Sequence, residues 1–226
     1  MMAVLVRCLW CATGRRFGSA ERARLASPLL GMFAAIACLA IPAHATVADA
    51  GDPHAVHLAA VRAANRSMAD YAVPDLSLVR DDGRRVSLKS EIDDGRPVVL
   101  AFIYTSCTTV CPVVSHVMAD LQARLGDARD RVHLVSISID PEYDTPARLH
   151  AYAQRFGAGP EWQHYTGTLE ASREAQRAFG VYRGDKMDHT PAMLVRPLPD
   201  ARWVRIDGFA TPDQLLAELP SYCVPR

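Results

Sequence analysis

Val98-Val99-Leu100-Ala101-Phe102-Ile103-Tyr104 is an unbroken apolar run. Such a run fits a strand buried on both faces, as in a parallel sheet. Just downstream, Val114, Val117, Met118, Leu121 and Leu125 form a stripe at helical spacing, which predicts a helix from about Pro112 to Leu125. Val132-His133-Leu134-Val135-Ser136-Ile137-Ser138-Ile139 follows as a second strand. Strand, helix and strand in this order make a βαβ unit.

The rest of the chain builds outward from that unit. Leu76–Val79 and Arg85–Leu88 flank Asp81-Asp82-Gly83-Arg84, and two short alternating runs around Asp-Gly predict a β-hairpin. Thr145-Pro146 opens a helix that ends near Gly157, with threonine as cap and proline in the first turn. Thr168 to Phe179 gives a further helix closed by Gly180. Ala192–Val195 and Trp203–Ile206 read as antiparallel strands, and Thr211-Pro212 caps a last helix to about Leu219. The predicted order is hairpin, βαβ, helix, helix, ββ, helix. That is an α/β sandwich on a mixed central sheet flanked by helices, with an N-terminal β-hairpin.

Composition narrows the function classes. Among 226 residues, 25 basic side chains balance 25 acidic ones, so no basic excess points to nucleic acid. Half of the residues are hydrophobic, which argues against disorder. One apolar stretch approaches membrane length, which excludes a polytopic transporter. That stretch, Leu25 to Ala43, follows Arg7, Arg15, Arg16, Arg22 and Arg24 and precedes the small-x-small site Ala43-His44-Ala45. A basic segment, an apolar core and such a site predict a secretory signal with cleavage after Ala45, the alternative being a retained single-span anchor. Residues 1–45 are therefore expected to be a signal peptide or anchor and 46–70 a linker, with a helix over Val56 to Met68. The folded domain is expected at 71–226, outside the cytoplasm. Cys8, Cys11 and Cys38 would leave with the signal, so Cys107, Cys111 and Cys223 remain.

Cys107 and Cys111 directly follow the most apolar strand and stand four apart, the spacing that shares one helix face. Cys111 precedes Pro112, which places the helix start there and Cys107 in the loop before it. Unpaired N–H groups and positive potential at a helix N-terminus favour thiolate over thiol. The pair is thus expected to be ionisable, mutually close and near the surface. Oxidised, it can close a disulfide; reduced, it forms a soft two-sulfur site suited to copper(I) or zinc. A purely structural disulfide is disfavoured, because so small a loop gains little from crosslinking.

A third ligand would separate redox chemistry from metal binding. His54 and His57 fall in the linker, His116 and His150 on solvent faces of helices, and His133 and His164 in or near strands. His189, in Asp188-His189-Thr190-Pro191, directly precedes a strand, and a loop ending there can reach the bend after a neighbouring strand. A lone histidine is more often structural than a ligand, so the residues by themselves leave both chemistries open. Asp140, Glu142 and Asp144 lack the glycine and closing glutamate of a calcium loop and read as turn and cap residues. Cys223 reads as an inert tail thiol, and Met118 and Met193 as core.

Tyr104-Thr105-Ser106-Cys107-Thr108-Thr109-Val110-Cys111-Pro112 resembles the cysteine loop of the Sco/SenC family. Ser136–Pro141, Asp144-Thr145-Pro146, His164–Gly167 and Asp188-His189-Thr190 resemble further segments of that family in the same order. The resemblance runs from about Tyr71 to Leu219 and implies a thioredoxin-like fold. It also implies that Cys107, Cys111 and His189 bind copper, as Cu+ or Cu2+, with the cysteines doubling as a redox-active pair. The implied role is a periplasmic copper chaperone that delivers copper to, or matures, the binuclear copper centre of cytochrome c oxidase. Its partner would be a copper-accepting oxidase subunit or another periplasmic thiol protein. The alternative within the same resemblance is an enzyme, a thiol–disulfide oxidoreductase acting on cysteines of a partner protein.

Overall fold

The computed structural model of the chain describes residues 64–224. Eight strands make one sheet: β1 (Asn65–Ala69), β2 (Ser77–Arg80), β3 (Arg85–Ser87), β4 (Val98–Ile103), β5 (His133–Ser138), β6 (Trp162–Thr166), β7 (Ala192–Arg196) and β8 (Trp203–Asp207). Five α-helices accompany them: α1 (Leu88–Ile92), α2 (Val110–Leu125), α3 (Pro146–Arg155), α4 (Leu169–Ala178) and α5 (Pro212–Glu218). The strand order is β1-β8-β7-β4-β5-β6-β2-β3. β4, β5 and β6 are parallel, and every other pairing is antiparallel. This is a thioredoxin-like arrangement, a mixed central sheet flanked by helices.

The two strands read first hold the middle of the sheet. Every residue of β4 and β5 is buried, as expected of strands covered on both faces. α2 turns Val114, Met118, Leu121 and Leu125 into the same core. α3, α4 and α5 each start where Thr145, Thr168 and Thr211 cap them, with the hydroxyl accepting from the backbone N–H three residues on. The β2–β3 hairpin closes through Gly83 at φ +86°, a left-handed conformation that glycine adopts without the penalty of a Cβ.

Two expectations need correction. Asn65–Ala69, placed in the linker and at the end of a helix, is strand β1, paired antiparallel to β8. Its exposed residues carry no alternating apolar face; pairing along β8 and the exposed Arg66–Glu218 ion pair at 2.6 Å hold it. The rest of the predicted helix over Val56 to Met68, the linker residues before it, the signal or anchor at 1–45, His54 and His57 lie outside the described residues. The second correction is β6, which separates two helices read as consecutive. Trp162-Gln163-His164-Tyr165-Thr166 shows no apolar run, yet all but Gln163 are buried. Its pairing with β5 and β2 makes it an interior strand despite three polar side chains.

Candidate metal centre

The centre forms where β4 ends. After Ile103 the chain makes a tight bend in which the Cys107 N–H donates to the Tyr104 carbonyl at 3.2 Å, and α2 begins at Val110. Thr109, at the cap position of α2, makes no side-chain capping bond. Instead, the Cys111 N–H in the first turn donates to Cys107 Sγ at 3.4 Å. The Cys107 sulfur therefore takes the place of a capping oxygen and accepts one of the N–H groups that every helix start leaves unpaired. Pro112 falls within that same first turn, where its missing N–H costs nothing.

This arrangement makes the two thiols unequal. Burial works to raise the Cys107 thiol, but the N–H groups of Cys111 and Thr109 and their side chains together outweigh it, bringing it from the usual 9.0 down to about 7. Burial pushes Cys111 strongly up; the Tyr104 N–H opposes this only in part, and the Cys107 sulfur beside it adds to the rise. The expectation that both thiols would be ionisable and near the surface is thus corrected. Cys107 is 6% exposed and Cys111 1%, and only Cys107 is poised as a thiolate near neutral pH. Cys111 faces the core as a first-turn residue of α2, and there desolvation outweighs the helix terminus. Both sulfurs are free thiols.

Asp144 fastens the loop from below. Its carboxylate accepts from the Thr105 N–H at 3.1 and 3.2 Å, from the Thr105 hydroxyl at 2.5 Å and from the Ser138 hydroxyl at 2.6 Å. It is fully buried, and burial raises its carboxyl. The sequence presents Asp144 as a turn residue; its support of the cysteine loop depends on β5 lying beside β4, which spacing alone does not reveal. Asp140 accepts from Lys186 at 2.5 Å and ties the histidine's loop to the same end of the sheet.

His189 directly follows the short 3-10 turn Lys186–Asp188 and precedes β7, the antiparallel neighbour of β4. It is 9% exposed, and its Nε2 lies 3.1 Å from the Phe102 carbonyl on β4. A carbonyl only accepts, so Nε2 carries the ring proton and Nδ1 keeps the lone pair. Burial lowers the imidazole's affinity for a second proton, so the neutral ring is favoured. Fixing one ring nitrogen on a backbone carbonyl while the other stays available is how ligating histidines are oriented. A polar cleft lined by Asp140, Arg173, Tyr182 and Lys186 also borders His189.

The fold thus brings Cys107 and Cys111 into contact and sets His189 against the same strand end. Among the described residues, however, no three His, Cys, Asp or Glu side chains stand close enough to hold a metal ion. The donor set itself suits a soft metal, with a prepared thiolate, a second thiol and a neutral imidazole. The other candidates stay apart: His116 and His150 are exposed on α2 and α3, and His133 and His164 are buried in the sheet. Cys223 is fully buried, and Met118 and Met193 are core residues.

A profile described as SCO1/SenC matches residues 64–222. The chain belongs to the SCO1/SenC family. A SCO1 protein homolog of Bacillus subtilis is 33% identical over 106 residues, covering 46% of this chain and 54% of the relative. The chain thus matches only about half the length of that relative. Among solved structures, Arabidopsis thaliana ScoI with copper bound is 28% identical with a TM-score of 0.54, covering 65% of this chain and 94% of that one. BsSco, described as having a disulfide switch and as a member of the Sco family of cytochrome c oxidase assembly proteins, is 27% identical with a TM-score of 0.58. That match covers 70% of this chain and 96% of BsSco. Among the described residues, no helix of this SCO1/SenC protein is long and apolar enough to cross a membrane.

Proposed function

We propose that this SCO1/SenC protein is an exported copper chaperone whose ligands are Cys107, Cys111 and His189. The observation that carries the reading is the prepared donor set. Cys107 is held near its thiolate form by the free N–H groups of α2, Cys111 packs beside it, and His189 keeps Nδ1 available at the same strand end. Two sulfurs and an imidazole hold copper(I) at low coordination number and still accept copper(II). The copper-bound Arabidopsis relative supports copper as the metal. The cargo passes by ligand exchange to a copper-accepting subunit of cytochrome c oxidase, a role that the description of BsSco supports. The site operates in the periplasm, with the leader cleaved or retained as a single-span anchor.

The test is an anaerobic copper(I) titration of the reduced full chain carrying Cys8→Ser, Cys11→Ser and Cys38→Ser, with metal analysis. His189→Ala should sharply weaken copper(I) binding while the cysteines still form a disulfide. Binding as tight as before the substitution would remove His189 from the ligand set.

The inequality of the thiols favours a second reading, thiol–disulfide exchange. Cys107 would attack a partner disulfide as thiolate, and Cys111 would resolve the mixed disulfide. In that reading Cys111→Ser traps a mixed disulfide with the partner, and failure to trap any counts against it.

A further inference from the structure

Met187 has no part in the ligand set above, yet it is the most exposed large hydrophobic side chain among the described residues, at 73%. It sits in the middle of the turn that leads into His189. That turn is fixed in place: Asp185 caps it by accepting from the Met187 N–H at 2.9 Å, and Lys186 is paired with Asp140 at 2.5 Å. The thioether is directed toward the cysteine loop, because Met187 Sδ lies 3.8 Å from the Tyr104 hydroxyl. The same hydroxyl also lies within hydrogen-bonding reach of the Cys107 side chain. One hydroxyl therefore stands between an exposed thioether and the Cys107 sulfur.

We propose that Met187 is an oxidation-state-selective capture ligand, whose thioether engages copper(I) together with Cys107 as the ion enters the site and stays bound to it there. The inference rests on the copper reading above. A thioether is a soft, uncharged donor that suits copper(I) and adds little for copper(II). Its exposure lets it meet an ion still held by a donor molecule, before the buried Cys111 and the carbonyl-bonded His189 engage. Binding forms copper–sulfur bonds and transfers no electron, and any proton still on Cys107 leaves to solvent as the copper–thiolate bond forms. The leucine variant keeps the size and apolarity of the side chain and removes only the sulfur donor.

The experiment compares Met187→Leu with the parent full chain, both carrying serine at positions 8, 11 and 38. Copper(I) affinity is read anaerobically against a chromophoric copper(I) chelator, copper(II) affinity against a copper(II) chelator, and the sulfur count of bound copper(I) by X-ray absorption. Met187→Leu is expected to weaken copper(I) binding on the order of tenfold, the low end of what losing a supporting group costs a metal site. It should lower the copper(I) sulfur count by one and leave copper(II) affinity unchanged. An unchanged copper(I) affinity and sulfur count overturn the proposal. Equal weakening of both oxidation states also overturns it, since Met187 would then merely prop the loop. If the parent chain itself binds no copper, the copper reading falls, and this inference with it; that outcome is visible before the variant is measured.

Discussion

Replacing Asp144 by alanine tests the claim that one buried carboxylate supports the cysteine loop. Removal strands two donors: the Thr105 N–H and the fully buried Ser138 hydroxyl. The Thr105 hydroxyl is only half-buried and can turn to water. Each stranded donor costs about 1–3 kcal/mol. Against this, the variant no longer buries a carboxylate, which burial disfavours strongly enough to raise its carboxyl. The net expectation is a loss of about 2–4 kcal/mol. For a domain of this size that is a fall of roughly 5–15 °C in Tm. Urea unfolding of the reduced protein at neutral pH measures it. The pH dependence gives an independent check. A carboxyl raised on folding contributes most below its unfolded pKa, and that contribution is lost as pH rises through the folded value. The gap between the parent and Asp144→Ala should therefore widen as pH falls from neutrality. A change within about 0.5 kcal/mol, the range of an unimportant surface substitution, would refute the bracing argument.

Alkylation at graded pH should modify Cys107 with a midpoint near its thiolate pKa of about 7 while Cys111 and Cys223 stay unmodified until the chain unfolds. Peptide mapping that finds Cys107 and Cys111 labelled equally in the folded protein would remove the inequality on which the exchange reading rests. His164 is fully buried, with neither ring nitrogen bonded among the described residues, and burial lowers it to about 3. A depressed folded pKa means that its contribution is present above the unfolded value of about 6.5 and is lost as pH falls from there toward 3. His164→Phe should flatten that acid limb in pH-dependent unfolding, and an unchanged limb would show that another group controls it.

The sequence was most informative where one kind of signal dominated. β4 and β5 are apolar along their whole length because both faces are covered, and Thr145, Thr168 and Thr211 cap their helices by a local interaction needing no tertiary context. β6 escaped reading because its burial is carried by Trp162 and Tyr165 together with His164 and Thr166, so it lacks both an apolar run and a clean alternation. β1 escaped because backbone pairing with β8 stabilises it, and pairing partners are not written in a local pattern. At the centre, the i to i+4 spacing placed the two cysteines together correctly. It could not show that Cys111 turns inward, since that depends on how α2 packs against the sheet. Asp144 and Met187 share this character, as each makes its contact with the cysteine loop from a position far away in sequence.

The two functional readings use the same thiols but make different demands on the residues around them. Thiol–disulfide exchange needs one low-pKa sulfur and one partner sulfur close enough to resolve the mixed disulfide; the start of α2 supplies both without help from the loop before β7. Closing the disulfide ties up both thiolates, so the oxidised form no longer offers that donor pair to a soft metal. The loop before β7 is where the readings diverge. For an exchanger, a neutral imidazole with a free Nδ1 and a thioether presented to solvent beside Tyr104 have no assigned work. For a copper carrier, they complete the donor set and offer an entry point. Substitutions at positions 187 and 189 therefore discriminate where substitutions at 107 and 111 do not, because loss of either cysteine removes a copper ligand and also stops the exchange from completing. A His189→Ala chain that still exchanges disulfides with a partner through Cys107 and Cys111 but no longer holds copper(I) would show that one thiol pair serves both uses, with the thiol oxidation state selecting between them.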